Sequence, residues 1–62
     1  MDLGYEVELL AEAGDRKDIH KLAVSLVRSN RPLAMELFAS IASEGVDRQA
    51  LRLIAERERN MI

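Results

Sequence analysis

Residues able to do covalent chemistry are few in this chain: it has no Cys, no Thr, and His20 is its one imidazole. A Ser or Lys nucleophile needs a base beside it and a third group to orient that base. One His and four Ser, namely Ser25, Ser29, Ser40 and Ser43, do not assemble such a relay. His20 also falls at the edge of an apolar helical stripe, between Val24 and Val27, where a partly covered structural histidine is expected. Glu8 and Glu12, at i and i+4, are the best carboxylate pair for a metal. They lack the Glu-x-x-His partners that metal sites in helical bundles use, and read as a solvated helix face. No glycine-rich phosphate loop, EF-hand spacing or cofactor fingerprint occurs. The expectation is a non-enzymatic protein with no metal and no cofactor, which leaves binding as its chemistry.

Binding surfaces must be carried by a very small body. The chain has 62 residues, 48% apolar and 32% charged, a composition that folds. Chains of this size bury only about 60% of the surface they expose when unfolded. With no disulfide available, stability must come from good helix packing or from association. No apolar run exceeds three residues, far short of the roughly 20 that span a bilayer. The start, with Asp2 and Glu6, lacks the basic and apolar regions of a secretory signal, so a cytoplasmic location is expected. Net charge is −2 and the isoelectric point about 5.3, against a value above about 9 for many nucleic-acid-binding domains. The charge is unevenly spread. Residues 1–14 hold Asp2, Glu6, Glu8 and Glu12 with no base, while five bases lie between Arg16 and Arg31 and four Arg follow position 47.

The pattern is all-α, a single helical domain over residues 1–62 built as a small bundle of four short helices, about 3–13, 16–29, 31–44 and 48–60. Two aromatics and no alternating run leave strands without support. Gly14 reads as a C′ glycine, followed directly by Asp15 as the next N-cap with Asp18 at N3. Ile19, Leu22, Ala23, Leu26 and Val27 then form an amphipathic stripe. Asn30 caps the third helix and Pro32 suits its first turn. Gly45 repeats the C′ role, and Val46 and Asp47 stand as N′ and N-cap, with Val46 placed to staple onto Leu51. The fourth helix has Ala50, Leu51, Ile54 and Ala55 as its core face, with Leu53 to one side. In the first helix Leu3, Val7, Leu10 and Ala11 line one side, Glu8 and Glu12 point away, and Tyr5 and Leu9 form a second apolar strip.

The junction of the last two helices, residues 41–54, resembles the core of helix-turn-helix regulators. Gly45, Val46, Leu51 and Ile54 match the turn glycine and buried positions of that family, although Ile41 and Glu44 stand where it has a small residue and an apolar one. The resemblance implies a transcriptional regulator whose helix 48–60 enters the major groove, with Arg48, Gln49 and Arg52 facing base edges or phosphates.

A different expectation comes from the third helix. At 100° per residue, its apolar side chains cover roughly 240° of arc, leaving Glu36, Ser40 and Ser43 as a polar strip. So much apolar girth exceeds what three short neighbours can enclose. The leading expectation is therefore a small interaction module, a regulator or inhibitor that binds a protein partner and self-associates as a homodimer. Leu33, Met35, Leu37, Phe38 and Ile41 are the expected contact, with Phe38 as its anchor. Nucleic acid is the alternative partner. Presentation of Glu6, Glu8 and Glu12 to a basic partner is a third.

Overall fold

A computed structural model describes residues 2–42 and 44–60 and has four helices: α1 (Leu3–Ala13), α2 (Arg16–Leu26), α3 (Arg31–Ser40) and α4 (Arg48–Asn60). No strand occurs among the described residues. Ser43, assigned above to the polar strip of the third helix, lies outside them.

Each helix begins at a side chain that satisfies an otherwise unpaired backbone N–H. The Asp2 carboxylate accepts from the Tyr5 N–H at 3.3 Å, and Asn30 Oδ1 accepts from the Leu33 N–H at 3.3 Å. Asp15 and Asp18 form a reciprocal capping box, with Asp18 N–H donating to Asp15 at 2.9 Å and Asp15 N–H to Asp18 at 3.3 Å. Asp47 accepts from the Ala50 N–H at 3.0 Å, and Val46 tucks against the core beside it.

The second and third helices are shorter than their sequence patterns. α2 stops at Leu26, and the Asn30 N–H reaches back to the Leu26 carbonyl at 2.8 Å, which closes the turn and returns the chain as α3. Val27, counted in the apolar stripe, is consequently 39% exposed. α3 stops at Ser40 rather than at position 44. The Ser40 hydroxyl donates to the Leu37 carbonyl at 2.6 Å, and the Ser40 carbonyl accepts from the Asp47 N–H at 2.8 Å across the loop. Ser40 is thus buried rather than part of a wet strip, its hydroxyl satisfied by its own helix.

Two glycines also act differently from the sequence expectation. Gly14 has φ −72°, not a left-handed conformation, so it is no C′ glycine of that type. Gly45 does have positive φ, at 94°, but five residues past the end of α3, inside the loop. There the Arg16 guanidinium donates to the Gly45 carbonyl at 2.7 Å and ties the loop to the start of α2.

The core is one cluster. α1 gives Val7 and Ala11, α2 gives Ile19, Ala23 and Leu26, α3 gives Leu33, Ala34 and Leu37, and α4 gives Leu51, Ile54 and Ala55, with Ile41 closing it from the loop. α1 lies along α4, α4 beside α3, and α3 along α2. Gly4 permits the first of these contacts: a Cβ there would strike the Arg59 side chain and come within 2.9 Å of the Arg59 backbone nitrogen. The radius of gyration is 10.3 Å, close to the roughly 10.6 Å expected for a closed domain of this length. No helix of the described residues is long and apolar enough to cross a membrane.

Candidate interaction surface

The five residues expected to form a contact fall into three environments. Leu33 and Leu37 are almost wholly buried and Ile41 nearly so, all three inside the chain's own core. They face α2 and α4 because α3 runs between those helices. Met35 lies on the opposite side of α3 and is 54% exposed. Phe38 is between these extremes, packed against the core on one side and edge-on to the His20 ring on the other, with ring centroids 5.5 Å apart. His20 is therefore an aromatic neighbour of Phe38, which accounts for its place at the margin of the α2 stripe.

Sequence reasoning did not assign to this side of the molecule the exposed apolar residues of the two helices packed on α3. On the α2 side stand Val24 and Val27, one and two turns beyond His20 and 53% and 39% exposed. On the α4 side stands Leu53, the most exposed large apolar residue among the described residues, which lines a shallow groove between α3 and α4 with Ala39, Ala50 and Ile54 and with Glu36 and Asp47 at its edges. Along α3 itself Pro32, Met35 and Ala39 are all exposed, followed by Ala42 just past its end. The outer face of α3 is thus apolar along its length, bordered by Val24 and Val27 towards α2 and by Leu53 together with the charged Glu36 towards α4. Helical spacing puts Leu53 beside the core stripe of α4, and the packing of α4 on α3 brings it to this side of the molecule.

Charges rim this face. Arg28 and Arg31 are exposed at its α2–α3 turn, whereas Glu44 and Asp47 are exposed at the opposite end of α3. Glu36 marks the α4 edge, where both its oxygens accept from the Arg57 guanidinium, one of them at 2.7 Å. Arg57 also reaches Glu58 at 3.2 Å. Hydrogen bonds from Arg57 hold the Glu36 carboxyl below its usual pKa, outweighing the opposing effect of burial.

The three residues nominated for nucleic acid are also separated by their surroundings. Arg48 is turned inward: one guanidinium nitrogen donates to the carbonyls of Leu10 at 3.1 Å and Ala11 at 3.2 Å, and the other to Gly14 at 3.0 Å. These carbonyls end α1, so a cation there satisfies unpaired acceptors and complements the negative pole of the helix dipole. Gln49 and Arg52 are exposed. Residues 41–47 separate α3 from α4, a longer link than the three or four residues of a helix-turn-helix.

Of the acids on α1, Glu8 does not simply face water as expected. It accepts from Arg59 at 2.9 and 3.0 Å and so joins α1 to α4. Among the described residues, no group of three His, Asp or Glu stands close enough to hold a metal ion. Comparison with protein-family models, with curated proteins and with solved structures finds no match to this chain.

Proposed function

We propose that this protein is a non-enzymatic helical interaction module that acts in the cytoplasm as a regulator or inhibitor and self-associates as a homodimer through the outer face of α3. The observation that carries this is the exposure of Met35 and Leu53, at 54% and 63%, on one apolar face of a chain whose core is already closed without them. Soluble monomers rarely leave large contiguous apolar patches in water. Antiparallel pairing of two α3 helices about a two-fold axis near Met35 and Ala39 would cover both copies at once. It would also bring Arg28 and Arg31 of one protomer toward Glu44 and Asp47 of the other, a complementarity that favours this register.

Sedimentation equilibrium over a concentration series tests the proposal. The expected mass is twice the 7.0 kDa of one chain, falling to a single chain in Met35→Lys/Leu53→Lys with the helical circular-dichroism spectrum retained. A wild-type mass of 7.0 kDa at millimolar concentration would remove it. A nucleic-acid role gains less from the same geometry, because Arg48 is engaged with α1 and leaves Gln49 and Arg52 as the available contacts.

A further inference from the structure

Four helices arranged in a ring have four seams, and only three of them are packed here. α1 and α2, although consecutive in the chain, share few contacts. Gly14 and Asp15 between them are both extended, with ψ of 146° and 179°, and carry α2 away from α1. The result is an open cleft of about 250 Å³ lined by Glu6, Leu9 and Leu10 from α1 and by Asp18 and Leu22 from α2.

The floor of this cleft is apolar. Leu10 and Leu22 pack against the core from below, and Leu9 remains 48% exposed at the mouth. Both lips are acidic, Glu6 on one helix and Asp18 on the other. Asp18 uses one oxygen in the capping box. Glu6 and, farther along α1, Glu12 have no ion-pair partner among the described residues, whereas Glu8 is neutralised by Arg59. A concave apolar strip between two carboxylates, neither of them in an ion pair among the described residues, selects for apolar side chains flanked by cations.

We infer that the α1–α2 seam receives a basic amphipathic helix from a partner protein. Its apolar stripe lies on Leu9, Leu10 and Leu22, and Lys or Arg on its two shoulders faces Glu6 and Asp18. The docked helix fills the fourth seam of the bundle. This inference rests on the reading of the chain as an interaction module, but uses a surface separate from the outer face of α3.

The test uses the full chain, labelled with nitrogen-15, and an 18-residue helical peptide with Leu at i, i+3 and i+7 and Lys at the flanking positions. A control peptide carries Glu in place of every Lys. The Lys peptide is expected to shift the amide signals of Leu9, Leu10, Asp18 and Leu22, with affinity falling as salt is raised. Glu6→Lys should weaken it roughly tenfold and improve binding of the Glu peptide. Absence of seam shifts at millimolar peptide, equal binding of both peptides, or seam shifts produced by dilution of the protein alone would overturn the inference, the last by showing that a second copy occupies the cleft. Mass from light scattering, read on the same samples, reports self-association independently, so a failed dimer and a failed seam give different results.

Discussion

At the scale of single residues, Arg48 shows how sequence position and chemical role can part. It is early on a helix, beside Gln49 and one turn before Arg52, and so has the placement of a groove-reading side chain. Its guanidinium instead closes the end of α1 through three backbone carbonyls. Hydrogen bonds from a charged donor to partly buried acceptors contribute about 1.5 to 3 kcal/mol. Arg48→Ala should therefore lower unfolding free energy by about 2 kcal/mol in urea titration, while Arg52→Ala, on the exposed side, should stay within about 0.5 kcal/mol. Equal losses at the two positions would exclude the capping role. Acid sensitivity is also set by individual residues. The N–H of Asp18 holds the Asp15 carboxyl below its usual pKa, and Arg57 does the same for Glu36. A group whose pKa is lower in the folded state stabilises it fully above the unfolded value and loses that effect as pH falls through the folded one. For Glu36 the loss begins as pH drops below about 4.5. Thermal unfolding of Glu36→Gln should show a shallower decline across that acid range, and an unchanged slope would mean the Arg57 pair has no effect on stability.

At the scale of elements, the decisive contact is α1 on α4, which Gly4 allows by leaving room for the Arg59 backbone. In an isolated helix Gly→Ala gains about 1 kcal/mol. Here the added methyl meets backbone, and overpacking of that kind costs about 1 to 3 kcal/mol. Gly4→Ala should thus be neutral to destabilising in thermal melts, and a clear rise in melting temperature would show that the two helices do not approach so closely. Gly4 could not have been recognised from the sequence, since nothing local marks a helical glycine as a close-approach site. The capping residues Asp15, Asn30 and Asp47 were legible, because each acts on N–H groups of its own first turn. The starts of α2, α3 and α4 follow from such local signals, and so does the all-α class, whereas Asp2, which caps α1 in the same way, was not singled out. The ends of α2 and α3 do not. Ser40 is halted by a bond from Asp47 across the loop, a tertiary event to which the apolar periodicity through Ile41 and Ala42 is blind. The candidate surface was half legible for the same reason. Helical spacing shows that α3 is apolar over most of its circumference. Which part of that circumference becomes core depends on where α2 and α4 lie, and this turns Leu33, Leu37 and Ile41 inward and Met35 outward.

At the scale of the whole molecule, a small closed core coexists with two unsatisfied surfaces of different character. The outer face of α3 is apolar, with opposite charges at its two ends, a pattern that is complementary to itself when reversed. The α1–α2 seam is apolar with acid on both sides, a pattern complementary to something basic. So small a domain gains little from burial alone, and covering the α3 face would add stability that grows with protein concentration. The melting temperature of the wild type should accordingly rise as concentration increases, and that of Met35→Lys/Leu53→Lys should not.

Self-association through α3 is tested most directly by isotope-filtered nuclear Overhauser spectroscopy on an equal mixture of carbon-13-labelled and unlabelled protein. Cross-peaks between protomers are expected from the Met35 methyl to Ala39 and to the Val24 or Leu53 methyls of the other copy. A millimolar sample with no cross-peaks between protomers, or with cross-peaks confined to Tyr5 and Leu9 on α1, would contradict it.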